Sequence, residues 1–484
     1  MINQDISSID DNVVTKKLAQ FGSYLDRTGM DHKPYQFEGV RWILNNELRS
    51  NPVCNVRGGF IADEMGLGKT IMMIGTMLCN FVERTLIVVP PVLIDQWYVQ
   101  IYRTTGHKAL IYHGQNKKHI DIHILNTTKI VITTYGAITL TRAQIKLKHL
   151  TLLHKLNWDR IIFDEAHHLR NAKTTRYFST KLIQARIRWL VSGTPVQNRK
   201  KDFYSLCGII QLPATFYTHA DNLRLLTRSF ILKRNKKMVG IQMTNIYIDK
   251  NIVKWTNRKE MLLSEEIHSA LAFSRVSNTK GNNSVILNTI SEKGHLAILL
   301  RARQTCIYPK LMANNAFKDF TLYKEAFNHS SKLDFAVDKI LQRKGNGCGK
   351  LIFCHFREEI DEIATRLKAG GMTSVAIFDG RTTNTNRFKI LNHKNEALVL
   401  QIQTGCEGLN LQENYSEIYF ISPHWNPAVE DQAIARCHRI GQTKTVYVER
   451  FEMSKFLGEL DTRTVDNYVG TVQDEKRVIS NQCI

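Results

Sequence analysis

Two blocks of the chain alternate short apolar runs, rich in β-formers, with segments of helical length. The apolar runs are continuous rather than alternating, which is typical of strands buried on both faces of a parallel sheet. The first block predicts strands at 86–89, 109–112, 129–133, 160–163 and 189–191, and the second at 350–354, 374–378, 397–402, 417–421 and 445–450. This pattern predicts an α/β protein with two parallel sheets, each covered by helices on both faces.

The two blocks imply separate domains, because a chain of 484 residues exceeds the size of one hydrophobic core. Between them lies a region of helical character whose tip at 274–284 is rich in Asn, Ser and Gly and predicts mobility. The predicted order is a mobile N-terminus (1–30), a first sheet domain (31–230), a helical insertion (231–330), a second sheet domain (331–455) and a helical C-terminal tail (456–484).

Composition adds a preference for a polyanionic partner. The chain carries 66 Lys and Arg against 44 Asp and Glu, a net charge of +22, and neutralising phosphates releases condensed counterions. Solubility alone is the alternative explanation. The nine cysteines include no Cys-x-x-Cys pair, which indicates reduced thiols. The polar start does not resemble a signal peptide and the apolar runs are short, so we expect an intracellular protein without membrane spans.

Residues 62–70 read Ala-Asp-Glu-Met-Gly-Leu-Gly-Lys-Thr and predict a phosphate-binding loop. Gly66 and Gly68 allow the backbone to curl until its N–H groups converge on one point. A helix predicted at 70–81 aims the positive end of its dipole at the same point. The segment therefore has the features of a cradle for a nucleotide's phosphates.

The side chains of the loop have predicted roles of their own. Lys69 reaches the β- and γ-phosphates, and the Thr70 hydroxyl completes the coordination shell of Mg²⁺. Asp63 stands where the general pattern has a glycine, so the match to that pattern is partial. The alternative is a plain helix start with a lysine in its first turn.

Three further polar residues are placed to meet a nucleotide. Asp164 and Glu165 follow the strand predicted at 160–163, at the edge of an α/β sheet where ligands bind. Asp164 would hold Mg²⁺, and Glu165 would orient and deprotonate the attacking water. Gln36 lies in a helix opened by Pro34, and its amide suits an adenine edge. The alternatives are a charged loop after a strand and a surface glutamine.

Two sets of basic residues are further candidates for contacts with phosphate groups. The cluster of Lys233, Arg234, Lys236 and Lys237 is either a nuclear-import signal or a patch that contacts phosphates. The second block has no phosphate loop, but Arg436 and Arg439 are three residues apart on a predicted helix and would share one face. Such a pair could clamp a phosphate held by the other domain. A solvated arginine pair is the alternative.

Four segments together resemble the motifs of the SWI/SNF-type DNA-dependent ATPases of helicase superfamily two. These are Asp63-Glu-Met-Gly-Leu-Gly-Lys-Thr70, Asp164-Glu-Ala-His167, Ser192-Gly-Thr-Pro-Val-Gln-Asn198 and Gln432-Ala-x-x-Arg-x-x-Arg-Ile-Gly-Gln442. They occur in the family's order over about residues 30–455, and Asp63 is usual in that family. The resemblance implies two RecA-like lobes that bind ATP and lie on duplex DNA.

The resemblance also implies a role for each matching residue. Adenine would be read by Gln36; the phosphates and Mg²⁺ would be bound by Asp63, Gly66, Gly68, Lys69, Thr70 and Asp164; Glu165 would activate water, and Arg436 and Arg439 would contact the γ-phosphate. Trp425 belongs to a Trp-Asn-Pro segment that lies near DNA in the family. Lys233 and Arg234 fall in a further family segment and are predicted to contact DNA.

The expected activity is ATP-driven translocation along double-stranded DNA, with remodelling of protein–DNA complexes, nucleosomes included, or an effect on the transcription machinery. The chain contains no module like a bromodomain or chromodomain, and this compactness is similar to global-transactivator-like proteins of large insect DNA viruses. We therefore expect a monomeric motor in the nucleus, or in the host nucleus if the chain is viral. The alternatives are a strand-separating DNA or RNA helicase and a DNA-binding transcription regulator with weak ATPase activity.

Overall fold

The computed structural model describes residues 11–193, 200–271, 294–312, 325–405, 409–456 and 462–483. They form two compact units, one of Met1–Gln242 with Ile479–Ile484 and one of Met243–Val478. Each unit contains one sheet in which every neighbouring pair of strands is parallel. The predicted α/β fold with two parallel sheets is therefore confirmed.

The first unit has a seven-stranded sheet in the order β3-β4-β2-β5-β6-β1-β7. Its strands are β1 (Arg57–Ile61), β2 (Thr85–Val89), β3 (Leu110–Tyr112), β4 (Ile130–Thr134), β5 (Asn157–Asp164), β6 (Gln184–Val191) and β7 (Ile231–Leu232). Its helices are α1 (Asp11–Thr28), α2 (Pro34–Leu48), α3 (Lys69–Cys79), α4 (Ile94–Thr105), α5 (Ile122–Thr127), α6 (Tyr135–Ile138), α7 (Arg142–Lys146), α8 (Thr175–Leu182), α9 (Lys200–Ile209), α10 (Ala214–Tyr217) and α11 (Leu223–Phe230).

Apolar side chains of this sheet are buried on both of its faces. In β5, Ile161 and Phe163 pack into one hydrophobic core and Ile162 packs into another. Successive residues of a strand point to opposite faces, so a strand of continuous apolar residues serves both cores. This is why the continuous runs in the sequence predicted buried strands correctly.

The second unit has a six-stranded sheet in the order β10-β11-β9-β12-β13-β8. Its strands are β8 (Ile246–Val253), β9 (Gly349–Cys354), β10 (Val375–Phe378), β11 (Ala397–Gln401), β12 (Tyr415–Phe420) and β13 (Val446–Met453). Its helices are α12 (Arg258–His268), α13 (His295–Ile307), α14 (Ser331–Gln342), α15 (Arg357–Ala369), α16 (Asn384–Asn392), α17 (Ile402–Gly405), α18 (Pro427–Cys437) and α19 (Val465–Cys483). Of the described helices of both units, none is both long and apolar enough to cross a membrane.

The predicted mobile N-terminus is wrong for the residues that the structure describes. Helix α1 covers Asp11–Thr28, and Val14, Phe21 and Leu25 on one of its faces are fully buried in the core of the first unit. Their spacing is that of an amphipathic helix, which the polar average composition of the segment obscured. Residues 1–10 lie outside the described part of the chain.

The predicted boundaries of the helical insertion also differ from the structure. The first unit extends to Gln242, and the second begins at Met243. Both β7 and β8 lie within the predicted insertion, yet each is the edge strand of a sheet. The predicted tip at 274–284 falls outside the described residues. The predicted C-terminal helix is present as α19, and its residues Val465 and Val469 are buried in the core of the second unit.

Candidate nucleotide site

The phosphate loop connects β1 to α3 in the first unit. Gly66 and Gly68 adopt left-handed backbone angles, φ 92° and 81°, which favour glycine. A Cβ atom on Gly68 would lie 2.4 Å from Nε2 of Gln36, so a side chain at this position would displace the Gln36 amide. Helix α3 begins at Lys69 and places Thr70 in its first turn, with backbone N–H groups directed at the loop.

Gln36 of helix α2 packs against the phosphate loop, and its predicted contact with adenine stays a prediction. Its side chain is buried, and Nε2 donates a hydrogen bond to the carbonyl oxygen of Leu67 at 3.3 Å. Pro34 occupies the first turn of α2, where its missing N–H costs nothing. The start of α2 therefore packs its amide side chain directly against the loop.

Lys69 is held by the loop itself. Its Nζ donates to the carbonyl oxygens of Asp63 at 2.9 Å and of Glu64 at 3.4 Å. A Cβ atom on Gly193 would lie 3.3 Å from the same Nζ, so the start of the motif at 192–198 passes directly beside the loop. Residues 194–199, which contain the rest of that motif, lie outside the described residues.

Asp164 ends β5 and is fixed by groups from three other positions. Its Oδ2 accepts a hydrogen bond from the indole N–H of Trp97 at 2.8 Å, and its Oδ1 accepts one from the backbone N–H of Glu165 at 2.9 Å. The hydroxyl of Tyr135 donates to its carbonyl oxygen at 2.7 Å. Burial, and secondly the charge of Glu165, raise the pKa of Asp164 to about 6, against the lowering effects of the hydrogen bonds from Trp97 and Glu165 and of the charge of Lys69.

Glu165 has a strained backbone. Its angles, φ 50° and ψ 49°, are left-handed, which costs a residue with a side chain about 1 kcal/mol or more. The surrounding fold enforces this conformation, and Oε2 lies 3.4 Å from Nδ1 of His167. Strain of this kind concentrates at functional sites, and here it falls on the predicted catalytic carboxylate.

Arg234 does not have the exposure that its predicted role in DNA contact requires. Its guanidinium forms an ion pair with the buried carboxylate of Asp63 at 2.6 Å and donates to the carbonyl oxygen of Tyr35. Only 11% of the Arg234 side chain is exposed. The structure therefore assigns Arg234 to the phosphate loop, because a buried carboxylate needs a counter-charge more than a solvated one does. The role of its exposed neighbour Lys233 stays a prediction.

Arg436 and Arg439 do not share one helical face. Helix α18 ends at Cys437, and His438 has ψ 80°, so Arg439 lies in the turn beyond the helix. There its guanidinium donates to Oδ1 of Asn410. Burial, and secondly the charge of Arg436, lower the pKa of Arg439, which shows that the two cations remain neighbours. Their predicted contact with a γ-phosphate stays a prediction.

Trp425 lies in the second unit, just before α18. Its ring packs edge-on against Tyr468 of α19, with centroids 6.1 Å apart, and it borders a hydrophobic core. Lys476 of the same helix donates to its carbonyl oxygen at 2.6 Å. These contacts give Trp425 a packing role, and its predicted position near DNA stays a prediction.

Sequence reasoning missed Trp97, Tyr135 and the partnership of Arg234 with Asp63. Each contact joins residues far apart in the chain: Trp97 and Asp164 are 67 residues apart, and Arg234 and Asp63 are 171 residues apart. Trp97 and Tyr135 have the apolar character of ordinary core residues, and no local pattern distinguishes them.

The residues of the first unit fit a nucleotide with a magnesium ion. The cradle between Gly66 and Lys69 has the glycine conformations and the N–H groups that phosphate binding requires. Thr70 and Asp164 offer the hydroxyl and carboxylate oxygens that Mg²⁺ prefers beside phosphate oxygens. The sheet, the loop and this donor set define a nucleotide-binding α/β protein.

Comparison with known families refines this class. Residues 35–311 match the SNF2-related domain, and residues 331–441 match the helicase conserved C-terminal domain. The chain belongs to the SNF2-related family. The resemblance to SWI/SNF-type ATPases that the motifs indicated is thereby confirmed.

Relatives of the chain occur in bacteria, viruses and eukaryotes. The chain is 26% identical, over 99% of its length, to an uncharacterized ATP-dependent helicase of Mycoplasma pneumoniae, of which it covers 45%. It is 25% identical over 93% of its length to the probable global transactivator of Orgyia pseudotsugata multicapsid polyhedrosis virus, of which it covers 90%. It is 26% identical over 87% of its length to the yeast ISWI chromatin-remodeling complex ATPase ISW2, of which it covers 38%. The chain thus spans less than half of two of these proteins and nearly all of the viral one.

Proposed function

We propose that the chain is a DNA-dependent ATPase that hydrolyses ATP to ADP and phosphate and thereby moves along double-stranded DNA. The observation that supports this proposal is that residues of three separate sequence motifs lie close together in the first unit. Gln36 contacts the loop that bears Lys69, and the charge of Lys69 acts on Asp164 at the end of β5. Family membership and the ATP-dependent helicase among the relatives support the same activity.

The residues of the site divide the work of phosphoryl transfer. Lys69 and the loop N–H groups bind the β- and γ-phosphates, while Gln36 receives the adenine edge. Thr70 and Asp164 would hold Mg²⁺, which would neutralise phosphate charge when bound. Glu165 orients the attacking water and takes its proton. The hydrogen bonds from Trp97 and from the backbone N–H of Glu165, together with the charge of Lys69, lower the pKa of Asp164 and so favour the ionised carboxylate that binds a cation.

Arg439, with Arg436 beside it, supplies positive charge to the transferring phosphoryl group. Charge on that group is greatest in the transition state, where a guanidinium gives the largest stabilisation. The motif that contains both arginines supports this assignment, which does not depend on their sharing a helical face.

The distribution of charge supports DNA as the partner. Residues 1–242 contain 34 Lys and Arg against 17 Asp and Glu, whereas residues 243–484 contain 32 against 27. Most of the net positive charge therefore belongs to the nucleotide-binding unit. A polyanion attracted by that charge would be bound in a strongly salt-dependent way.

The biological setting extends the same proposal. One relative is named a chromatin-remodeling complex ATPase and another a probable global transactivator. These names favour action on protein–DNA complexes, nucleosomes among them, or on transcription. We place such a motor in the nucleus, in the host nucleus for a viral chain, and expect it to act as a monomer.

One set of assays tests the activity. ATP hydrolysis is measured with duplex DNA, single-stranded DNA and RNA, and motor activity is measured by triplex displacement and by strand separation. We expect duplex DNA to stimulate hydrolysis most, triplexes to be displaced and blunt duplexes to stay intact. Robust unwinding of a blunt duplex would show a strand-separating helicase instead, and DNA binding without stimulated hydrolysis would show a regulator.

Two variants test the assignment of the site. Lys69→Ala should weaken both ATP binding and hydrolysis, because it removes the cation that meets the phosphates. Glu165→Gln should still bind ATP but not cleave it, because an amide cannot take the proton of water. Hydrolysis at the parent rate by the glutamine variant would remove Glu165 from its assigned role.

A further inference from the structure

The last strand of the first unit continues along the phosphate loop. Strand β7 pairs with β1 through Phe60 opposite Ile231 and Ile61 opposite Leu232. The hydrogen bonds then extend beyond β1, because the N–H of Ala62 donates to the carbonyl oxygen of Leu232 at 2.7 Å. The loop therefore starts as an extension of a sheet whose edge is the segment 231–236.

Arg234 binds the first acidic residue of the loop from two directions. Its backbone N–H donates to Oδ1 of Asp63 at 2.9 Å, and its guanidinium donates to both carboxylate oxygens, at 3.2 Å to Oδ1 and 2.6 Å to Oδ2. The same guanidinium donates to the carbonyl oxygen of Tyr35, the residue before Gln36. One planar cation thus fixes both the loop and the start of the helix that carries Gln36.

Lys236 binds the second acidic residue in the same way. Its backbone N–H donates to Oε2 of Glu64 at 2.8 Å, and its Nζ pairs with Oε1 at 2.8 Å. The N–H of Glu64 in turn donates to the carbonyl oxygen of Arg234 at 2.8 Å. Burial raises the pKa of Glu64, but the hydrogen bonds and charge of Lys236 outweigh it and hold that pKa below its ordinary value.

These contacts bear directly on Lys69. The two oxygens that receive its Nζ are the carbonyl oxygens of Asp63 and Glu64, whose side chains are held by the 234–236 segment. A shift of either acidic residue would therefore move the Lys69 ammonium, which is proposed to bind the phosphates. The same segment lies a few residues before Met243, where the second unit begins.

We propose that Arg234 and Lys236 are positioning residues for the nucleotide, which set the place of Lys69 through Asp63 and Glu64. Nucleotide binding and the order of the 234–236 segment are then coupled in both directions, since coupling between two equilibria is reciprocal. Binding of a nucleotide to the phosphate loop therefore changes the order of the segment from which the chain continues into the second unit. The inference rests on the proposed function, because it requires a nucleotide in the loop.

The first test measures equilibrium binding of Mg²⁺-ATP to the full chain without DNA. Arg234→Lys keeps the charge but loses the planar fork, and we expect about tenfold weaker binding or more, in line with hydrogen bonds between charged groups. Lys237→Ala is the matched control, since it removes an exposed charge from the residue next to the 234–236 segment and should leave nucleotide affinity unchanged. The exchange Glu64→Lys with Lys236→Glu should bind better than either single variant, because it restores the ion pair.

The second test follows hydrogen exchange at the backbone amides of Arg234 and Lys236, which donate to the loop carboxylates. Adding ADP with Mg²⁺ should slow their exchange in the parent protein and should slow it less in Arg234→Lys. A role in folding alone would lower the melting temperature without changing this response. If Arg234→Lys fails to fold, two results still test the positioning role. They are the ATP affinity of the double variant Glu64→Lys with Lys236→Glu and the amide hydrogen exchange of the parent protein.

The outcomes separate this inference from the proposed function. If the parent chain does not bind ATP at all, the proposed function fails. If the parent binds ATP but Arg234→Lys binds it equally well, the positioning role is refuted and the proposed function stands. Amide exchange unaffected by nucleotide in the parent would refute the coupling.

Discussion

Glu47→Gln should destabilise the first unit strongly, because Glu47 is the acceptor at the centre of a buried network. Its Oε1 accepts from Nε of Arg160 at 2.7 Å and from the indole N–H of Trp189 at 2.8 Å. Its Oε2 accepts from Nη2 of Arg160 and from the Asn80 amide at 2.7 Å. These partners connect the end of α2 to β5, β6 and the end of α3. Both charged side chains are almost completely buried.

The expected loss follows from what the substitution leaves behind. A glutamine keeps the shape but removes the charge, so the buried Arg160 guanidinium loses its counter-ion and faces an amide that is itself a donor. Removing one partner of a buried ion pair costs about 3–5 kcal/mol. Since folded domains are stable by roughly 5–15 kcal/mol, this is a large share of the total. Removing Arg160 as well, by Arg160→Met in the Glu47→Gln background, should cost little more.

The assay is urea unfolding of the full chain, followed by tryptophan fluorescence, with the transitions of the two units fitted separately. A loss of this size should lower the midpoint of the first unit's transition by roughly 1–2 M. Glu83→Gln is the control, because it makes the same change at the exposed ion pair with Lys129 and should leave the midpoint where it is. Equal midpoints for Glu47→Gln and the control would refute the reasoning.

Three further predictions concern the site and the second unit. Trp97→Phe removes a hydrogen bond that lowers the pKa of Asp164, so the Mg²⁺ concentration for half-maximal hydrolysis should rise a few-fold, and most at pH 6; an unchanged Mg²⁺ dependence would contradict this. Burial lowers the pKa of His268 to about 4, below the value in the unfolded chain. The stability that neutral His268 contributes is therefore complete above about pH 6.5 and is lost as the pH falls towards 4. This loss amounts to about 3 kcal/mol in the free energy of unfolding. Urea midpoints at pH 7 and 5 should therefore differ less in His268→Asn than in the parent. Arg439→Ala should keep its ATP affinity but lose on the order of a thousandfold in DNA-stimulated kcat, with little rescue by lysine, whereas a proportional loss of affinity would contradict the assigned role.

The sequence predicted ten of the strands, including the edge strands β3 and β10, and missed β1, β7 and β8. Central strands are continuous apolar runs because both of their faces are buried. Strand β1 was missed because it contains Gly58 and Gly59, which have low strand propensity. A Cβ atom on Gly58 would lie 1.9 Å from the carbonyl oxygen of Arg188 in β6, so close packing of backbones requires the glycine. Strand β8 was missed because as an edge strand it is largely exposed and carries polar residues.

The same distinction applies to the candidate site. Lys69, Asp164 and Glu165 belong to motifs in which one short segment contains both the functional group and the turn that positions it. Arg234 belongs to no such segment, because its partner Asp63 is brought to it only by the pairing of β7 with β1. The positive charge of the segment therefore predicted that Arg234 contacts nucleic acid, whereas its partner in the fold is the buried carboxylate of Asp63.

Arg439 is held in a defined position by a turn, although the helix that was expected to carry it ends at Cys437. Gly441 has φ 95°, a left-handed conformation that reverses the chain after α18. The Gln442 amide then donates to the carbonyl oxygens of Gln412 at 3.0 Å, Tyr415 at 2.9 Å and Cys437 at 3.2 Å. A single buried amide thus ties the turn to the end of the helix and to the residues leading into β12. Gln442, the last glutamine of the motif, therefore positions Arg439 by fixing the backbone of the turn. The two arginines are held near each other by this turn rather than by a shared helical face.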